Sequence, residues 1–285
     1  MTDTSRHGGQ AGMDSVHSVS QACGLPRLEV HMLWQQVLQV SRAWLIAHDR
    51  DPLAPEAIAR FHDLQARRLA GEPMAYILGY KEFMGRDFRV SPGVLIPRPE
   101  TELLVETALD YLQRCRAPRV LDLGTGAGAI AISIALNASG ASIAATDVSM
   151  DALAVARQNA QALGARVEFL SGSWYDALVG HSGFDLIVSN PPYIAACDPH
   201  LAQGDLRFEP VQALTDGSDG LSALRTIVQG AGARLKPGAA LFLEHGWDQA
   251  KAVRQLLQQA GFTQVASLQD LAGIERVSGG IYNQG

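Results

Sequence analysis

The stretch "VLDLGTGAGAIAISIAL", Val120 to Leu136, decides the fold. A short apolar run, Val120 to Leu123, meets a turn with glycine at 124, 126 and 128, and an Ala- and Ile-rich helical segment follows. Glycines there remove side chains where the backbone must turn sharply and approach a ligand, and the helix start beyond them presents free N–H groups. Strand, glycine turn and helix in this order open an α/β ligand site. Gly128 is followed by Ala129, Ile130 and Ala131, so the third glycine of the dinucleotide pattern GxGxxG is missing, which weakens a nicotinamide reading.

Downstream of this stretch, strands and helices alternate. The apolar runs Arg119–Gly124, Ala141–Asp147, Arg166–Gly172, Phe184–Asn190 and Ala239–His245 read as strands. Helical patterns lie between them, one being "MDALAVARQNAQAL" with Ser149 as N-cap and Gly164 as stop. Such alternation predicts a mostly parallel sheet covered on both faces, with ligands at the carboxyl ends of its strands. "FTQVASLQD" and "IERVSGGIYN" have no helix between them and predict an antiparallel edge hairpin. The segment "RPETELLVETALDYL", with Pro99 and acidic residues in a first helical turn, predicts the helix that opens this domain.

Upstream the pattern is helical. Leu33, Val37, Val40 and Trp44, then Ile58, Phe61, Leu64 and Leu69, recur at helical spacing and read as core. The expected organisation is a disordered tail over 1–24, rich in Ser, Gly, Gln and His, and a small helical docking domain over 25–75. A β-hairpin-like connector over 76–97 and the α/β domain over 98–285 complete it.

Composition narrows the function. A net charge of −6 over 285 residues argues against a protein that holds nucleic acid chiefly by neutralising phosphates. Cys23, Cys115 and Cys197 lack CxxC or metal-ligand spacing, and His7, His17 and His31 are scattered, so reduced thiols and no metal site are expected. No signal-peptide core and no bilayer-length apolar run stand in the sequence, so a cytoplasmic protein is expected.

Two further places carry chemistry. Asp147 ends the second strand, where a carboxylate can accept from both hydroxyls of a ribose, and Asp122 can orient the glycine loop or face a cationic cofactor end. "SNPPYIAAC", Ser189 to Cys197, places two prolines and a tyrosine after an asparagine at a strand end. Arg98, Glu100 and Glu102 can line a site or cap a helix, and a lone His245 reads as structural.

Taken together, "VLDLGTGAGAIAI", "ATDVSMDALAVARQNA" and "FDLIVSNPPYI" resemble the class I S-adenosylmethionine-dependent methyltransferases that modify a planar nitrogen. With "EPMAYILGYKEFMGRDFRVSPGVLIPRPETELLVE", "LRFEPVQALTDGSDGL" and "LEHGWDQ", the chain from about Leu28 to Tyr282 resembles the bacterial release-factor glutamine methyltransferases, protein-(glutamine-N5) enzymes. The resemblance implies a Rossmann-like class I methyltransferase sheet behind a small N-terminal helical domain. It implies S-adenosyl-L-methionine as cofactor and S-adenosyl-L-homocysteine as product. The methionyl part would lie over Gly124, Thr125, Gly126, Ala127 and Gly128, the ribose on Asp147 and the adenine near Trp174, with Asn190 bordering cofactor and substrate. The implied partner is a peptide chain release factor presenting Gly-Gly-Gln.

That resemblance gives the Asn-Pro-Pro-Tyr run a chemical reason. An amide nitrogen is a poor nucleophile because its lone pair is delocalised into the carbonyl. Two acceptors aimed at its hydrogens, the side-chain oxygen of Asn190 and the carbonyl of Pro191, would orient it and bias its electron density toward the methyl group. Pro191 and Pro192 stiffen this frame, and Tyr193 offers an aromatic wall. Glutamine methylation of a ribosomal protein, adenine-N6 methylation of a flipped DNA base, and a cofactor-binding scaffold without turnover are the competing expectations.

Overall fold

The computed structural model describes residues 14–283. The chain divides between Leu78 and Gly79 into two units. The first holds α1 (Val16–Ser20), α2 (Arg27–Leu38), α3 (Arg42–Ala47), α4 (Pro55–Leu69) and α5 (Met74–Leu78). Leu33, Val37 and Phe61 are buried as their spacing requires, and the ring of Trp34 stacks on Phe61 with centroids 4.1 Å apart.

Three expectations for this part of the chain need correction. Residues 1–13 of the expected tail lie outside the described residues, but from Asp14 the chain is ordered. Ser15 and Ser18 form a capping box at the start of α1. Val16 and Cys23 are buried in the helical core, and Ser20 Oγ accepts the indole N–H of Trp34 at 3.0 Å, so this stretch is anchored by both burial and hydrogen bonding. Trp44 and Leu69, expected in the core stripe, are exposed; Trp44 instead stacks on the His48 ring at 4.3 Å. In the expected connector, Tyr76 to Leu78 close α5, and strands begin only at β1 (Tyr80–Phe83) and β2 (Arg86–Arg89). These two pair as an antiparallel hairpin across Met84 and Gly85, both left-handed at φ 51° and 72°.

The second unit continues with α6 (Glu102–Leu112), β3 (Arg119–Leu123), α7 (Ala129–Asn137), β4 (Ser142–Asp147), α8 (Met150–Leu163), β5 (Val167–Ser171) and β6 (Phe184–Ser189). It closes with α9 (Val211–Leu214), α10 (Ser222–Ala231), β7 (Leu235–Glu244), α11 (Ala250–Gln259), β8 (Phe262–Gln269) and β9 (Glu275–Tyr282). The sheet runs β5-β4-β3-β6-β7-β9-β8, parallel from β5 through β7, with β9 and β8 as the antiparallel edge hairpin. Successive strand residues alternate between two cores. Val120, Leu186 and Ala240 pack with α6 and α7 on one face, while Leu121, Ile187 and Leu241 pack with α10 and α11 on the other. Six consecutive residues of α7, Ala129 to Ile134, are buried, which is why its sequence is apolar all round.

Strand order reverses at β3, where the chain builds outward first through β4 and β5 and then, on the other side, through β6 and β7. A sheet of this kind opens a crevice outside the carboxyl ends of its strands at that point.

Candidate functional site

A cavity of about 380 Å³ opens there, and its walls include Gly124, Gly126, Asp147, Trp174, Asn190 and Pro192. These residues follow β3, β4, β5 and β6, so four strand ends meet at one hole.

The glycines of the turn do different things. A Cβ at Gly126 would meet nothing within 4 Å, whereas at Gly124 it would stand 3.4 Å from the Trp174 ring. At Gly128 it would fall 2.7 Å from Ile132 Cδ1 and 3.2 Å from Ala156 Cβ, so this glycine lets α7 pack on α8. Thr125, Ala127 and Gly128, which the resemblance assigns to the cofactor, are not cavity walls. The Thr125 hydroxyl donates to Asp122 Oδ2 at 2.6 Å, and the Ala127 carbonyl accepts from Asn159 Nδ2 at 2.9 Å. They shape the loop from behind.

Two carboxylates serve this turn. Asp147 Oδ2 accepts the Gly126 N–H and Oδ1 the Ser149 N–H, each at 2.8 Å; burial raises its pKa, and these bonds oppose the rise. Asp122 is fully buried, also accepts the Ala131 N–H at 3.2 Å, and keeps Oδ1 without a hydrogen-bond partner among the described residues. Burial pushes its pKa up to about 7.

Trp174 sits at φ 44°, a left-handed backbone that a bulky residue adopts at a cost. Thr146 Oγ1 donates to its carbonyl at 3.2 Å, and the next residue, Tyr175, donates its hydroxyl to Ile227 O at 2.7 Å, so both sides of the strained residue are tied down.

On the acceptor side, Ser189 Oγ donates to Leu123 O at 2.6 Å, which latches the end of β6 to the end of β3. Asn190 Nδ2 donates to Thr101 Oγ1 at 3.0 Å. Pro191 is buried, and neither it nor Tyr193 is a cavity wall. Tyr193, expected as an aromatic wall, packs instead against the core containing Leu241 and Leu243 and turns its hydroxyl toward Glu244 Oε1, 3.4 Å away. Its own carbonyl accepts from Gln249 Nε2 at 2.9 Å. Burial and the neighbouring Glu244 carboxylate raise the Tyr193 pKa.

Sequence reasoning missed Thr101, Glu209 and Glu244. Glu244 is fully buried at the end of β7; burial pushes its pKa up to about 7, and the Tyr193 hydroxyl donates to its Oε1 at 3.4 Å. Glu209 is buried too, pairs with Arg98, and accepts the Ile96 N–H at 3.0 Å. Of the acidic helix start, Glu102 accepts the Met84 N–H at 2.7 Å and so caps the hairpin turn. His245 sits between Gly246 O at 2.9 Å and Ser278 Oγ at 2.7 Å, a structural place, and burial lowers its pKa. Among the described residues no cluster of His, Cys, Asp and Glu could hold a metal ion, and no helix is long and apolar enough to cross a membrane.

Known proteins carry the same plan. Family models match residues 16–79 (PrmC N-terminal domain) and 99–205 (Methyltransferase small domain). The release factor glutamine methyltransferase of Bordetella pertussis is 64% identical over 257 residues, 90% of this chain and 95% of the relative. That of Burkholderia pseudomallei is 55% identical over 266 residues, 91% and 93%. Among solved structures, a T. thermophilus 16S rRNA methyltransferase in complex with AdoMet and guanosine superposes with a TM-score of 0.55. It is 23% identical, covers 72% of this chain and 50% of its own, and speaks for the fold alone. With that fold, and at such identity over nearly its whole length, the chain belongs to the release factor glutamine methyltransferase family of class I methyltransferases.

Proposed function

We propose that this enzyme transfers the methyl group of S-adenosyl-L-methionine to the side-chain amide nitrogen of the glutamine in the Gly-Gly-Gln motif of peptide chain release factors. The observation that carries the reading is one shared cavity: Gly126 and Asp147, suited to the cofactor, and Asn190, suited to the amide, wall the same hole.

The residues present fit that cofactor. Asp147 is a carboxylate held at the wall, Gly126 leaves open space, Trp174 gives an aromatic surface, and Asp122 carries an unpartnered buried oxygen close to the loop. When bound, S-adenosyl-L-methionine supplies a methyl group on a sulfonium and leaves as S-adenosyl-L-homocysteine.

Asn190 Oδ1 and the Pro191 carbonyl accept the two amide hydrogens, which fixes the nitrogen and directs its lone pair at the methyl carbon. The prolines restrict the backbone that carries both acceptors, so little conformational freedom is lost when the amide arrives. Tyr193 supports that frame from the core side. The bound cofactor would supply the methyl carbon, its C–S bond giving way to the new N–C bond, and the surplus proton of the nitrogen held by Asn190 and Pro191 would pass to solvent.

The helical unit is assigned to holding the protein substrate in the cytoplasm. Its exposed Leu28, Trp44, Ile46 and Leu69 supply apolar contact area. Methyl transfer from labelled cofactor to purified release factor, ribosomal protein and duplex DNA, followed by mapping of the modified residue, tests the reading. Label on the Gly-Gly-Gln glutamine is expected; label confined to DNA or ribosomal protein would overturn it.

A further inference from the structure

The stretches "LEHGWDQ" and "LTDGSDGL", Leu243 to Gln249 and Leu214 to Leu221, meet at one side chain. Gln249 stands at the start of α11 with its backbone fixed: its N–H donates to Gly246 O and its carbonyl accepts the Val253 N–H, each at 3.0 Å. Its carboxamide spans three segments. Oε1 accepts the Gly246 N–H at 2.9 Å, while Nε2 donates to Tyr193 O at 2.9 Å and to Gly220 O at 3.2 Å. A flipped carboxamide would set oxygen against two carbonyls and hydrogens against an N–H, so these partners admit one orientation. Both approaches need glycine. A Cβ at 220 would overlap Tyr193 O and stand 2.9 Å from Gln249 Nε2, and one at 246 would stand 3.1 Å from Gln249 Oε1.

The grip falls where the Asn-Pro-Pro-Tyr run has few bonds of its own to make. Upstream, Ser189 is tied to β3 by its hydroxyl and by strand pairing. Pro191 and Pro192 then have no N–H to give. Past them the chain is held by Gln249 at the Tyr193 carbonyl, by Leu214 O at the Ile194 N–H (3.0 Å) and by Ser218 O at the Ala196 N–H (2.9 Å). Thr215, Asp216 and Ser222 of the facing loop wall the cavity, and that loop has ties besides Gln249. Asp216 Oδ1 accepts the Ser218 and Gly220 N–H groups at 2.8 and 3.1 Å, and Oδ2 accepts that of Ser222 at 2.7 Å. Loss of the Gln249 carboxamide therefore leaves the cavity wall standing and frees the Tyr193 carbonyl, two residues from that of Pro191.

We infer that Gln249 is a positioning residue of the methyl transfer: from the turn after β7 it clamps the Tyr193 carbonyl against Gly220, and so aims the Asn190 and Pro191 acceptors at the substrate amide. Gly220 and Gly246 make room for the clamp. Gln249 is not a cavity wall and touches neither substrate nor cofactor in this scheme. The inference rests on the role given to Asn190 and Pro191 above.

Full-length Gln249→Glu, Gln249→Met and Gly220→Ala, assayed for methyl transfer to release factor with cofactor affinity measured by calorimetry, test it. An ionised glutamate keeps the acceptor for Gly246 and sets oxygen against the carbonyls of Tyr193 and Gly220; methionine keeps the length and removes the hydrogen bonds. In both, kcat should fall about 10- to 100-fold, the scale of a misplaced reacting group, with KM for release factor and cofactor affinity within about threefold of the parent. Gly220→Ala crowds the same carbonyl from the other side and should show the same split. A merely structural Gln249 would lower the melting temperature and leave kcat of the folded enzyme unchanged. Parental kcat in Gln249→Glu, or a loss confined to KM or cofactor affinity, would overturn the inference. If Gln249→Glu does not fold, Gln249→Met decides by the same split. A parent enzyme that leaves release factor unlabelled overturns the substrate reading and this inference with it; a parent that labels it beside an unimpaired Gln249→Glu overturns this inference alone.

Discussion

Asp147 reaches back 21 residues to accept the Gly126 N–H at 2.8 Å, so the carboxylate that ends β4 fixes the apex of the glycine turn that follows β3. On the proposed reading the same group is both brace and cofactor ligand. Hydrogen bonds to a charged acceptor are worth about 1.5–3 kcal/mol, so Asp147→Ala should weaken cofactor binding by about 10- to 100-fold. Calorimetric titration of the variant checks this, and unchanged affinity removes the ribose assignment.

Asn190→Ala separates binding from chemistry. Its side chain braces nothing in the cofactor loop, so cofactor affinity should stay within about threefold while turnover falls at least about 100-fold. Single-turnover labelling of release factor reads the chemical step directly; a parental rate would remove Asn190 from the mechanism.

Gly126 and Gly128 should fail in different ways. Alanine at 126 has room, though its φ of 55° carries a backbone cost of about 1 kcal/mol, and the added methyl should chiefly lower cofactor affinity. Alanine at 128 combines φ 84° with contacts of 2.7 Å to Ile132 Cδ1 within α7 and 3.2 Å to Ala156 Cβ on α8, and should cost about 2–4 kcal/mol of stability by crowding the α7–α8 contact. Urea unfolding of both variants checks the contrast, which equal destabilisation would contradict.

Arg98 and Glu209 make a pair in which the carboxylate is wholly buried and the guanidinium mostly so. Arg98→Met leaves that carboxylate with the Ile96 N–H as its remaining described partner and should cost about 3 kcal/mol. Removing both charges, as Arg98→Met with Glu209→Met, should recover much of the loss, because two matched apolar groups need no hydration. A double variant no more stable than the single one would show that Glu209 acts chiefly through Ile96.

Burial lifts both Asp122 and Glu244 to about 7 from ordinary carboxylate values of 3.8 and 4.5. Around Glu244, Thr101, Tyr193 and Arg276 act against the rise and Glu100 adds to it. The folded state therefore holds protons that the unfolded chain releases. The stability these groups contribute is fully present below about pH 4 and lost as pH rises through about 7. Cofactor-free enzyme should lose stability from these two sites between pH 5 and pH 8, on the order of 3 kcal/mol each. Glu244→Gln should show a shallower decline than the parent in melting temperature over that range; parallel curves would place the titration elsewhere.

Where local pattern suffices, the sequence is legible. The strand runs, the Ser149 cap and Gly164 stop of α8, and the edge hairpin all follow from periodicity and turn chemistry. Strand β7 begins at Leu235, four residues before the expected Ala239, because Pro237 and Gly238 read as a breaker but sit where the pairing with β6 shifts register. The tail was misread because the capping box uses Ser18 where Glu or Gln is the familiar signal, and because Cys23 among polar residues gives no periodicity. Within the site, Asp147, Asn190 and Trp174 announce themselves at strand ends. Thr101 and Glu209 do not, since their partners Asn190 and Arg98 are 89 and 111 residues away and are chosen only by tertiary packing.

The latch from Ser189 to Leu123 has a consequence for how the reaction tolerates change. Donor and acceptor sites hang from adjacent strands of one sheet, whose spacing of about 4.8 Å is a property of backbone hydrogen bonding and not of any side chain. On the proposed reading, the separation of the glycine turn from the Asn190 frame is set by that pairing and not by any loop. Changes in the segment from 195 to 210 leave that spacing as the sheet sets it.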